Sequence, residues 1–145
     1  HKEYRRQRQM CIRDRGKILK KGKKIAFLNL GTRLKKVLEI NEMIKNHHKL
    51  NCTVVDMRFA KPIDTKLIQN LNKTHDIFIT IEENAIGGFS SQVNDFLINK
   101  LNKTPKILNF FMKDEFIDQS DIDDQYNKSG ISKELIFDKI STLLR

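Results

Sequence analysis

One pattern limits this chain more than any other: short apolar runs of strand length that alternate with apolar residues at helical spacing. Ile25-Ala-Phe-Leu-Asn-Leu30 is almost continuously apolar, as a strand covered on both faces must be. Gly31-Thr32 turns the chain, with Thr32 expected as the N-cap. Leu34, Val37, Leu38, Asn41 and Ile44 then fall on one helical face. The alternation repeats. Cys52–Val55 reads as a strand, and Pro62 ends the loop after it. Asp64 is placed to cap a helix carrying Leu67, Ile68 and Leu71. Ile77–Ile81 is a strand, and Gly87-Gly88 open a helix bearing Phe89, Val93, Phe96 and Leu97. Ile107–Phe111 is a further strand. After an acidic loop, Ile136, Ile140, Leu143 and Leu144 mark a last helix.

Strands buried on both faces and joined by helices predict an α/β, three-layer αβα domain with a mostly parallel five-stranded sheet. The fifth strand is Gly16–Lys20. Lys-Gly-Lys around Gly22 reads as the turn of a hairpin joining it to Lys24–Leu30, giving one antiparallel edge strand. The 145 residues suffice for one domain, expected over 16–145. Residues 1–15 show neither strand nor helix period, and five arginines crowd into positions 5–15. This segment reads as foreign or disordered, its QMCIRDR string resembling translated adapter sequence; a natural basic arm is the alternative.

Charge excludes one class on first reading. The net charge is +10, yet residues 1–24 hold eleven Lys or Arg against two acids, leaving the rest at +1. A folded nucleic-acid binder carries its basic stripe on the body. No nucleic-acid partner is therefore expected. No apolar run approaches the roughly 20 residues of a membrane span, so no membrane partner is expected either, and without a secretory signal the cytoplasm is the expected compartment. Cys52, in a predicted strand, reads as a buried thiol. His47, His48 and His75 lack metal-ligand spacing. The acidic run from Asp114 to Asp124 lacks a calcium-loop pattern.

In an open α/β sheet, ligands gather at the C-terminal ends of the strands, where three loops stand out. Gly31 and Thr32 precede a helix N-terminus, which could hold an anion or could simply be a tight turn. Asp56 and Arg58 lie two apart on an extended segment and are expected on one side, with Pro62 and Asp64 setting the turn beyond them. Glu82 and Glu83 end a strand and point to opposite faces, so they cannot share one acid–base site. Hydrogen bonds to nearby backbone and contact with another domain suit them better. Gly87 and Gly88 are expected to supply a positive φ or a close backbone approach.

These loops carry a resemblance. Ile25–Arg33, VDMRFAKPID at 55–64 and ITIEENAIGGF at 79–89, followed by DEFIDQ at 114–119, Gln125-Tyr126 and Ser129-Gly130-Ile131, resemble the C-terminal domain of transketolase-like enzymes, nearest to the 1-deoxy-D-xylulose-5-phosphate synthase branch. The resemblance implies a thiamine diphosphate enzyme that joins pyruvate to glyceraldehyde 3-phosphate with loss of carbon dioxide. It implies that thiamine diphosphate and Mg²⁺ are held by an N-terminal domain with a Gly-Asp-Gly motif and by a pyrimidine-binding middle domain, neither expected in this chain. A homodimer of the whole enzyme is implied as well. The C-terminal domain then supports the others, so no catalytic, cofactor-binding or metal residue is expected here. Gly31, Thr32, Asp56, Arg58, Pro62, Asp64, Glu82, Glu83, Gly87 and Gly88 become structural or interface candidates. A 2-oxo-acid dehydrogenase β-subunit, or a free-standing interaction module of the same fold, stays open.

Overall fold

The computed structural model describes residues 15–58, 63–85, 88–112 and 132–145. Strands β1 (Lys17–Lys20), β2 (Lys24–Leu30), β3 (Thr53–Asp56), β4 (His75–Ala85) and β5 (Lys106–Met112) form one sheet in the order β1-β3-β2-β4-β5. All neighbours run parallel except β1, which is antiparallel to β3. Ile25 to Asn29 are completely buried, because β2 is central and both its faces are covered.

Two helices cover each face. Helices α1 (Leu34–His48) and α4 (Lys133–Leu144) press Val37, Ile40, Ile44, Ile136 and Ile140 onto Phe27, Val54 and Ile79. On the other face lie α2 (Thr65–Asn72) and α3 (Phe89–Asp95), the latter continued by a π-helical stretch, Phe96–Lys100. Their Ile68, Phe89, Val93 and Leu97 meet Leu28, Val55 and Phe78. Each such side chain contributes about 1.5–3 kcal/mol on burial, so both faces are held by packing. No helix among the described residues is long and apolar enough to cross a membrane.

Helix ends follow local chemistry. Asp64 caps α2, its Oδ1 accepting the Leu67 N–H at 3.1 Å, and Ser132 caps α4 by accepting from Leu135 N–H. Helix α1 stops at Lys49, whose φ of 56° is left-handed and whose N–H donates to the Lys45 carbonyl. Thr32 is not the N-cap of α1. That position falls to Arg33, which makes no side-chain capping bond, while the Thr32 hydroxyl donates to Glu83 Oε1.

The expected hairpin does not form. β1 pairs with β3, Lys17 opposite Asp56 and Ile18 opposite Val55, because β3 and β4 already occupy both edges of β2. The connection runs past the start of β3. The Gly22 N–H donates to Thr53 Oγ1 at 2.9 Å, and the Lys23 N–H to the Asn51 carbonyl at 2.8 Å. Gly22 is needed for that passage, since a Cβ there would lie 2.0 Å from the Asn51 oxygen. The prediction of one antiparallel edge strand stands; its partner is β3.

Candidate functional site

The parallel strands bring the three loops to one end of the sheet. β3, β2 and β4 are adjacent, with Asn29 opposite Asp56 and Leu30 opposite Glu82. The loops after these strands therefore lie side by side.

The central loop turns at Gly31, whose φ of +104° is left-handed. A Cβ there would meet nothing within 4 Å, so conformation alone requires the glycine. Behind it, completely buried Asn29 donates from Nδ2 to the Gly31 carbonyl at 3.2 Å, and its own carbonyl accepts the Met57 N–H at 2.9 Å. Asn29 thus ties the β2 turn to the β3 turn. Sequence reasoning missed this residue, although a lone Asn in an apolar strand was a visible sign.

After β3, Asp56 Oδ1 accepts the Arg58 N–H at 3.2 Å. Arg58 is left-handed, φ 64°, so the segment is not extended there and the expected common orientation of Asp56 and Arg58 fails. The bond from Asp56 to the backbone two residues on makes the turn instead. Asp64 ties in the residue just ahead of β1 as well as capping α2, because its Oδ2 accepts the Gly16 N–H at 3.1 Å. Pro62 and Gly87 lie outside the described residues, as does the acidic run from Asp114 to Asp124.

The third loop follows β4, which is longer than expected and contains both glutamates. Glu82 is fully buried toward α3, and both carboxylate oxygens are engaged. Oε2 accepts the Phe89 N–H at 2.8 Å and Oε1 the Ser90 N–H at 2.9 Å. A carboxylate at the first turn of a helix satisfies orphan donors and opposes the helix dipole. Glu83 takes the Thr32 hydroxyl, so neighbouring glutamates bind different elements. Gly88 precedes α3 with φ −86°, an ordinary value; the expected positive φ is absent at this residue.

This arrangement holds loops and helix ends together. Among the described residues no group of three His, Cys, Asp or Glu is placed to hold a metal ion, and Glu82 is spent on amides. Elsewhere, Cys52 is buried and its thiol is pushed up to about 12 by desolvation, far from the thiolate that reactivity needs. His75 is buried in a local network, contacting Thr53 Oγ1 at 2.7 Å and the Leu71 carbonyl at 2.9 Å.

The sequence profile described as "Transketolase, C-terminal domain" matches residues 14–136. The chain belongs to this family. Among curated relatives of this transketolase C-terminal domain is the 1-deoxy-D-xylulose-5-phosphate synthase of Psychromonas ingrahamii, 38% identical over 140 residues, which cover 92% of this chain and 21% of that protein. The synthase of Haemophilus influenzae (strain Rd) is 40% identical over 132 residues, 91% of this chain and 20% of that protein. The chain thus spans about one-fifth of the length of these relatives. Among solved structures, a split-gene transketolase in an inactive β4 tetramer superposes with a TM-score of 0.78 at 27% identity, covering 90% of this chain and 41% of that one. Campylobacter jejuni transketolase, at 19% identity and a TM-score of 0.57, shares the fold.

Proposed function

We propose that this domain serves a 1-deoxy-D-xylulose-5-phosphate synthase as its C-terminal, non-catalytic part. It supports separate domains that hold thiamine diphosphate and Mg²⁺, in a homodimeric cytoplasmic transferase of isoprenoid precursor synthesis. The observation that carries this reading is 38–40% identity to such synthases across more than nine-tenths of the chain. The geometry supports the non-catalytic part: the glutamate pair that could pass for acid–base machinery holds a helix end and a turn.

The test is a graft. Residues 16–145 replace the C-terminal domain of the Haemophilus influenzae synthase, and in parallel that of Campylobacter jejuni transketolase. The synthase graft is expected to load cofactor and form product from pyruvate and glyceraldehyde 3-phosphate, while the transketolase graft fails. A soluble, cofactor-loaded synthase graft without turnover, beside an active transketolase graft, would overturn the reading. The split-gene relative favours a second possibility, a separately encoded chain that assembles with cofactor-bearing partners. Stoichiometric co-purification with such partner chains from the native source would select it.

A further inference from the structure

The end of the sheet opposite the three loops carries a charge pattern that the net count conceals. Each strand meets that end with an exposed lysine: in sheet order Lys20 on β1, Lys49 ahead of β3, Lys24 on β2, Lys73 ahead of β4 and Lys106 on β5. β1 runs against the others, so its last residue joins the first residues of its neighbours. Lys21 and Lys23 thicken the row at one side. They line, with Gly22, Lys49, Leu50 and Asn51, an open cleft of about 490 Å³. Lys103 stands at the other side, beside Asp76 at 3.3 Å. Asp76 is the single acid in the segments 20–24, 49–52, 73–76 and 101–106. To the four lysines of 20–24 the fold thus adds Lys49, Lys73, Lys103 and Lys106 from the nearly neutral remainder, making one strongly basic end.

Two observations separate this row from chance surface lysine. Favourable placement at helix C-termini explains Lys49 and Lys73, but Lys20 ends a strand, Lys21 and Lys23 connect two, and Lys24 and Lys106 begin strands. In addition, Lys24 and Lys49 are left-handed, φ 69° and 56°, in a backbone region that Gly or Asn fills more cheaply. Lysine stands at both positions, and Lys49 lines the cleft.

We infer that this end of the sheet binds the phosphate backbone of a nucleic-acid strand. Five strands span roughly 19 Å at about 4.8 Å each. A row of that length meets several consecutive phosphates of one strand. Flexible ammonium groups suit such a ligand as point charges. With no exposed aromatic among these segments to stack a base, recognition is blind to sequence and belongs to phosphate alone.

The experiment uses the full chain, with fluorescence anisotropy of a labelled oligothymidylate of about 20 nucleotides titrated across salt concentrations. The triple variant Lys21→Gln, Lys23→Gln, Lys49→Gln is compared with a control triple at exposed helix lysines, Lys35→Gln, Lys66→Gln, Lys139→Gln. Both remove the same charge and leave the basic segment before Gly16 unchanged. The cleft triple is expected to weaken binding about tenfold or more at low salt and to reduce the log–log salt slope by about two, at about 0.7 per single-strand contact. The control triple leaves the slope unchanged. Unlabelled oligothymidylate competes and polyglutamate of equal charge does not; inorganic polyphosphate that binds more tightly per charge than oligothymidylate would overturn the inference in favour of that polymer. Equal losses in both triples, absent binding, or equal competition by polyglutamate would each overturn the inference, the last in favour of an acidic protein segment. Matching thermal melts establish that both triples are folded.

Discussion

The carboxylate of Glu82, inside β4, accepts the backbone N–H of Phe89 at 2.8 Å, so the strand itself carries the cap of the helix that follows it. With Ser90 N–H on the other oxygen, the strand end and helix start are locked across the intervening loop. Gln at position 82 keeps one acceptor but turns an amide donor toward a backbone donor. Hydrogen bonds to charged groups are worth about 1.5–3 kcal/mol, and an unpaired buried donor costs about as much. Glu82→Gln is therefore expected to cost about 2–3 kcal/mol, lowering the melting temperature by about 5–10 °C. In a complete enzyme carrying this domain, turnover per bound cofactor should stay within about twofold. A hundredfold loss, about 2.7 kcal/mol of transition-state stabilisation, in an enzyme of normal stability would make Glu82 a catalytic group.

Gly22 and Gly31 separate two reasons for glycine. Gly31 needs its φ of +104° but has open space, so Gly31→Ala is expected to cost about 1–2 kcal/mol, and Gly31→Asn less. Gly22→Ala would drive a methyl into the Asn51–Cys52 backbone, which cannot move without disturbing the start of β3. Its cost is expected at about 3 kcal/mol or more. Urea denaturation of the two variants checks the ranking, and a milder Gly22→Ala would contradict the packing described here.

What the sequence revealed and concealed divides along range. Strands β2 and β4 were legible because a strand covered on both faces must be apolar throughout, as Phe27 and Ile79 are. Asp64 was legible because a cap acts three residues away. The partner of β1 was not, since it depends on which edges of β2 are taken, a fact decided by residues 53–56 and 75–82. Thr32 looked like a cap because its competitor, Glu83, lies 51 residues on. The lysine row was hidden for a related reason: Lys24, Lys49, Lys73 and Lys106 are dispersed in sequence and gathered only by parallel pairing.

Lys133 on α4 donates to Glu39 Oε2 on α1 at 3.3 Å, joining the two helices of one face. The bond holds the Glu39 carboxyl below its ordinary value, against an opposing effect of burial, with Lys36 and Lys35 adding to it. A depressed carboxylate stabilises the fold above its unfolded pKa and loses that contribution as pH falls through the folded value. Lys133→Gln should raise the Glu39 pKa, read by carboxyl carbon NMR, and flatten the acid side of the stability profile. An unchanged Glu39 titration would show that the pair does not persist in solution.

Cys52 gives the opposite sign at alkaline pH. Its backbone N–H donates to Asn41 Oδ1 at 3.1 Å, fixing the residue beneath α1, and burial pushes the thiol up to about 12. The unfolded chain releases the thiol proton near pH 8.5–9. Between there and about 12 the folded state binds more protons, so stability is complete below the unfolded pKa and declines as pH rises. The limiting slope is about 1.4 kcal/mol per pH unit. In a Cys11→Ser background, Cys52→Ala is expected to be less stable than its parent at pH 7, through the small cavity it leaves. Because alanine has no proton to lose, the gap should narrow steadily between about pH 9 and 11. Iodoacetamide at pH 8 should modify Cys52 only at the rate of unfolding, as urea-dependent labelling would read. A gap independent of pH, or rapid native-state labelling, would mean that the thiol is not sealed under α1 as the structure places it.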